Sequence, residues 1–141
     1  MALLLWFPHM TQENKKHTEA IARARLIYKK MGPMHCPALG GSLVFFTNAG
    51  FNHILRKGRI ERMKKDQERR LCLLPYAETV IMDPQATCAH RKIINNFGDP
   101  VYFWGLTVYL KDKEVTVVIR QIGKDGGKHF FSIIDARVKK G

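Results

Sequence analysis

Apolar residues follow two regimes along the chain, helical spacing first and strict alternation second. From Thr11 the pattern places Ala20, Ile21, Ala24, Ile27, Tyr28 and Met31 on one stripe and Lys15, Lys16, Arg23, Arg25 and Lys29 elsewhere. This predicts an amphipathic helix stopped by Gly32-Pro33. Residues 42–46, short, apolar and with aromatic and β-branched character, read as a strand. Thr47 then offers an N-cap for a helix through Lys57 that Gly58 ends; it buries Phe51, Ile54 and Leu55 and turns Asn52, His53 and Lys57 to its flanks. Ile60, Met63, Gln67, Leu71 and Leu74 predict a further helix over residues 59–74. Residues 75–82 predict a short one, closed by Asp83-Pro84.

From residue 87 the period becomes two. Residues 87–94, 101–110, 115–122 and 128–137 are predicted strands, and the short turn-rich links between them imply an antiparallel meander. With Asp112-Lys113 as a two-residue turn, Tyr109 pairs with Thr116, Thr107 with Val118 and Gly105 with Arg120. Trp104, Leu106, Val108, Leu110, Val115, Val117 and Ile119 then share a core face under the helices. Phe103, Gly105, Thr107, Tyr109, Thr116, Val118 and Arg120 share a mixed face suited to a ligand. Pairing Ile122 with Lys128 adds Phe131 and Ile133 to the core, leaves His129 on the core side, and sets Lys128, Phe130 and Ser132 beside Arg120; a one-residue slip exchanges the faces. The expected fold class is α+β, with N-terminal helices packed on one face of a C-terminal four-stranded antiparallel sheet. Residues 1–41 form a helical extension and connector to the main domain, residues 42–141, in one compact unit.

Charge changes the picture. The chain has 24 Lys and Arg against 12 Asp and Glu, a net charge of +12. Such an excess repels itself in a compact state, which points to a polyanionic partner, above all nucleic acid. The density peaks between Arg56 and Arg70, where Glu61, Asp66 and Glu68 are interleaved, so this run reads as steering and surface pairing rather than as the seat of chemistry. Cys36, Cys72 and Cys88 are odd in number and widely spaced, which suits reduced thiols in the cytoplasm. No CxxC or HxxxH pair supports a metal site, and no phosphate loop or nucleophile elbow is present. The apolar residues 1–7 are too short for an export signal or a membrane span, and either dock on a neighbouring surface or mediate self-association.

The order of motifs is informative. A strand, Phe51-Asn52-His53-Ile54 on a helix, Arg69-Arg70-Leu71 followed by Leu73-Leu74-Pro75, a helix ending in Asp83-Pro84, and strands ending in Lys128-His129-Phe130-Phe131-Ser132 span residues 42–137. This arrangement resembles the phage and mobile-element branch of the barnase, EndoU, colicin and RelE-like (BECR) ribonucleases. The resemblance implies a metal-independent endoribonuclease without cofactor, a toxin or phage-derived effector acting on tRNA, rRNA or mRNA. A toxin of that kind needs an acidic antitoxin or immunity protein to cover its cleft in the producer.

Metal-free RNA cleavage requires a base for the 2′-hydroxyl, an acid for the 5′-oxygen and cations around the phosphorane. His53, of a residue type that titrates near neutrality, is the candidate acid or base. Arg120 and Lys128 would hold the phosphate and Ser132 orient it; Lys57 and Arg91, or His90 if the register differs by one, would complete the basic cleft. Phe103, Tyr109 and Phe130 offer rings on which a base can stack. The alternative is an RNA- or DNA-binding protein that uses the same cleft without catalysis.

Overall fold

A computed structural model describes residues 11–137; the apolar residues 1–7 lie outside the described part. Helix α1 (Gln12–Lys30) begins at Thr11, whose side-chain oxygen accepts a hydrogen bond from the Asn14 amide at 3.1 Å. It ends before Gly32-Pro33, as predicted, and buries Ala24 and Tyr28. Strands β1 (Met34–Cys36) and β2 (Ser42–Phe45) follow as an antiparallel pair; its connection is closed by Gly40 and Gly41 at φ 68° and 83°, values that favour glycine.

Helix α2 (Asn48–Leu55) starts after Thr47 but is shorter than predicted. The backbone instead forms a small hairpin of β3 (Arg56–Lys57) and β4 (Ile60–Glu61), turning through Gly58 at φ 64°. Helix α3 (Lys64–Leu73) therefore begins five residues later than the residue-59 start expected from the apolar spacing. One tight turn at Pro75 leads into α4 (Ala77–Met82). Strands β5 (Thr87–Ile94), β6 (Pro100–Leu110), β7 (Lys113–Ile122) and β8 (Lys128–Arg137) complete the chain. Among the described residues no helix is long and apolar enough to cross a membrane.

The expected four-stranded antiparallel meander is corrected. The sheet has six strands in the order β1-β2-β8-β7-β6-β5 and curls into a half-barrel. Its β2–β8 pair is parallel, with Val44 opposite Lys128 and Phe45 opposite His129. Parallel pairing requires a long crossover, here everything from α2 to β7, so no turn between neighbours in sequence announces it. Leu106, Val115, Val117, Ile119, Phe130 and Ile133 of the sheet pack with Phe51, Ile54, Leu71, Leu74, Val80 and Ile81 of the helical segments in one buried cluster.

Two features of register matter for the site. The β6–β7 turn is Lys111-Asp112, with Leu110 opposite Lys113, so Phe103 rather than Gly105 faces Arg120. The faces survive this change because the pairing moves by two residues. Lys113, drawn into the strand, reaches Asp135 at 3.6 Å, which favours the observed turn. In β8 a bulge interrupts the ladder: Ile119 pairs with Phe130 and Val118 with Ser132, leaving Phe131 extra. Phe130 and Ile133 therefore both point into the core, while Phe131 and Ser132 turn to the opposite face. The expected placement of Phe130 and Phe131 is thus reversed, and His129 leaves the core side to stand opposite Arg120.

The start of α2 is pressed against β8. The Tyr28 hydroxyl donates to the Thr47 carbonyl at 2.6 Å, and its ring lies 5.3 Å from Phe51 and 5.8 Å from Phe130. Gly50 sits inside this arrangement: a Cβ there would meet the Tyr28 hydroxyl at 2.6 Å and the Phe130 carbonyl oxygen closer still. Gly50→Ala is expected to lower unfolding stability by about 1–3 kcal/mol through overpacking, as read by denaturant titration. Gly32→Ala, where a Cβ meets nothing within 4 Å, serves as the tolerant comparison.

Candidate functional site

The flank of α2 and the bulge of β8 meet at one pair of rings. His53 and Phe131 stack with centroids 4.0 Å apart and planes inclined by 25°. The Arg120 guanidinium lies over the same Phe131 ring at 4.3 Å, and Phe103 meets it edge-on at 5.6 Å. Two clefts share His53 and Phe131 as walls. One of about 420 Å³ is lined by Lys57, Arg62, Arg70, Arg91 and Ser132 among others; the other, about 550 Å³, includes Asn52, Arg56 and Arg120.

Arginines from α3 and its approach close the first cleft. Arg62 donates to the His53 backbone carbonyl at 2.9 Å and to Nε2 of its ring at 3.0 Å. Arg70 donates to the Ser132 hydroxyl at 2.7 Å and to the Ile133 carbonyl at 3.3 Å. Asp66, four residues from each, pairs with Arg62 at 3.3 Å and Arg70 at 3.2 Å. Buried Gln67 fixes α3, which carries Asp66 and Arg70: it donates to the Leu55 carbonyl at 3.0 Å and bonds to His17 of α1 at 2.6 Å.

The electrostatics follow from donors outnumbering acceptors. A guanidinium only donates, so His53 Nε2 accepts from Arg62, and the neutral ring carries its proton on Nδ1. Burial, and after it the charges of Arg62, Arg70, Arg120 and Lys57, push the His53 pKa down to about 4. His129 repeats the arrangement, accepting from Arg120 Nε at 2.9 Å, and its pKa is likewise lowered by burial and by Arg120. Burial also lowers the pKa of Arg120 and Arg70, and Asp66, beside both Arg70 and Arg62, is held below the usual carboxylate range. No carboxylate appears in the described lining of either cleft. The arrangement is an open cationic cradle beside a neutral imidazole, suited to an anion that brings its own charge.

Of the residues expected from the sequence, His53, Lys57, Arg91, Arg120 and Ser132 converge here. Arg91 lies with its guanidinium 5.0 Å over Phe103. Four others do not. Lys128 lies on the other face of the sheet, its ammonium 5.1 Å over Trp104. His90 borders the first cleft, but its ring stacks on Trp104 and Tyr102. Phe130 is fully buried, and Tyr109 is exposed at the distant β6–β7 turn opposite Glu114. Arg62 and Arg70, assigned above to surface pairing, belong to the cleft. Their signal was available: Arg62, Asp66 and Arg70 are spaced i, i+4, i+8, so one carboxylate can pair with two guanidiniums, although Arg62 precedes the first turn of α3. Comparison of the chain with family models, curated proteins and solved structures found no match.

His53 gives a direct check. Its imidazole resonances should titrate near pH 4, and Arg62→Met should move the midpoint upward by removing a charge and a donor. Since the folded chain binds this proton less readily than the unfolded one, stability contributed by His53 is present above pH 6.5. It declines as pH falls toward about 4, and levels off below. Denaturant midpoints measured across pH 3.5–7.5 for wild type and His53→Gln should converge as this contribution is lost.

Proposed function

We propose that this protein is a metal-independent endoribonuclease whose centre is the His53–Phe131 junction. The observation that carries the reading is the hydrogen-bonded set itself: a neutral imidazole with its acceptor nitrogen at the wall shared by two cationic clefts. A scissile phosphate beside it draws Arg62, Arg70 and Arg120 toward its oxygens. The negative charge raises the basicity of His53 Nε2, which takes the proton of the 2′-hydroxyl as that oxygen attacks phosphorus. The guanidiniums stabilise the crowded phosphorane, and the P–O5′ bond breaks with charge developing on the leaving oxygen. Proton uptake from solvent completes a 5′-hydroxyl product, opposite a 2′,3′-cyclic phosphate. Guanidiniums here supply the charge that a divalent ion supplies elsewhere. Ser132, held by Arg70, orients a phosphate oxygen.

The likeness of motif order to the BECR ribonucleases supports the same reading, including an effector role and an acidic inhibitory partner that covers the cationic clefts. Three free cysteines, two of them exposed, fit a reducing cytoplasm. One observation favours a second reading. A base with a pKa near 4 is weak until an anion binds, and a cradle of this kind also serves a non-catalytic RNA- or DNA-binding protein.

The two readings part at His53. In EDTA, wild-type protein should cleave tRNA, rRNA or mRNA, and His53→Ala should lower the rate by about 10²–10⁴-fold while RNA affinity changes little. Absence of cleavage by pure wild type on all three substrates removes the enzyme reading. For an active protein, kcat/KM should rise with pH through about 4 and then level off, because the unprotonated imidazole is the working form. Arg70→Gln and Arg120→Gln should each flatten the salt dependence of RNA binding, by about 0.7 in log–log slope for every phosphate no longer neutralised.

A further inference from the structure

The displacement of Lys128 from the cleft leads to a second surface. His90 pairs with Trp104 across β5–β6 and Arg91 with Phe103, so the two sets of side chains stand on opposite faces of the sheet. On the core-bearing face, opposite to Arg91 and Phe103 and beside the point where Trp104 packs against the buried cluster, His90, Trp104 and Tyr102 form a ladder of near-parallel rings. Their centroids lie 5.4 Å (His90–Trp104), 6.0 Å (Trp104–Tyr102) and 6.2 Å (His90–Tyr102) apart, with planes inclined by 28°, 19° and 12°. Lys128 lies over Trp104 at 5.1 Å and Lys92 over Tyr102 at 5.9 Å. Neither lysine forms an ion pair among the described residues.

This ladder reaches solvent. His90 and Lys92 are exposed and Tyr102 and Trp104 half-buried, and β5 is the terminal strand of the sheet, with all its residues exposed. Parallel rings flanked by unpaired cations on a sheet edge match single-stranded nucleic acid: bases stack on aromatic faces without regard to sequence, and cations follow the backbone. We infer that the His90–Trp104–Tyr102 ladder, with Lys92 and Lys128, is a second binding site, one that takes the unpaired bases of a single-stranded nucleic acid. Arg91 at the cleft and His90 and Lys92 on the ladder belong to the same strand. A chain leaving the cleft thus reaches the ladder by rounding the β5 edge. The inference takes its ligand class from the nucleic-acid reading and is independent of catalysis.

The test uses the full chain with Trp6→Phe, so that Trp104 is the sole tryptophan, and oligothymidylate of about twelve nucleotides, which lacks the 2′-hydroxyl and cannot be cut by the proposed chemistry. An abasic oligomer of equal length is the comparison. Binding of oligothymidylate should quench Trp104 emission, and the abasic strand should bind more weakly without quenching. The exposed pair His90→Ala with Lys92→Gln should lower oligothymidylate affinity by about fivefold or more, given 1–3 kcal/mol per stacked base. Arg120→Gln in the cleft should weaken binding yet preserve quenching. Unchanged Trp104 emission at saturation, equal affinity for the two oligomers, wild-type affinity in the double variant, or no binding at all overturns the inference. Cleavage is read separately on RNA with His53→Ala, so either proposal can fail while the other stands.

Discussion

One inserted residue governs this structure. Phe130 and Ile133 must both face the core, yet residues three apart in a regular strand face opposite sides. The bulge at Phe131 resolves that conflict, and burying Phe130 rather than exposing it is worth about 1.5–3 kcal/mol. The rest of the site depends on it. Phe131 becomes the ring on which His53 and Arg120 rest, and Ser132, beside it on the same face, becomes the anchor of Arg70. Hydrophobic demand on one face of β8 thus positions polar chemistry on the other. Added twist at a bulge is also in keeping with the curl of the sheet.

Gathering cations at that junction is unfavourable in itself, through desolvation and mutual repulsion. Three devices offset this. Asp66 neutralises part of the charge of Arg62 and Arg70, two imidazoles stay neutral and accept from Arg62 and Arg120, and Phe131 and Phe103 present ring faces to Arg120 and Arg91. Cation–ring contacts of this kind contribute roughly 0.5–2 kcal/mol each. What remains is uncompensated positive potential at an open surface, which is the physical content of the anion-binding reading.

Local periodicity made several parts legible from the sequence. The Ala24 and Tyr28 stripe, the flank position of His53, and the core face Leu106, Val115, Val117 and Ile119 all follow from spacing within one element. Features that depend on distant residues were not legible. The parallel pairing of β2 with β8 has no turn to announce it, and the bulge breaks the alternation that would set the side of Lys128, Phe130 and Phe131. Arg62 and Arg70 resembled solvated surface because their partners His53 and Ser132 lie on other elements, and the hairpin at Arg56–Lys57 and Ile60–Glu61 interrupts a convincing helical pattern.

Asp66 has a further consequence. It is a resident carboxylate held between the two arginines that an incoming phosphate would need, so the protein carries its own competitor for the cleft. Removing that carboxylate would strengthen attraction for a polyanion and, at the same time, leave two half-buried guanidiniums to repel each other. Grip on an anion and repulsion between the two guanidiniums therefore respond to the Asp66 charge in opposite senses. One carboxylate thus couples the charge presented to the cleft by Arg62 and Arg70 to the cohesion of the segment that holds them.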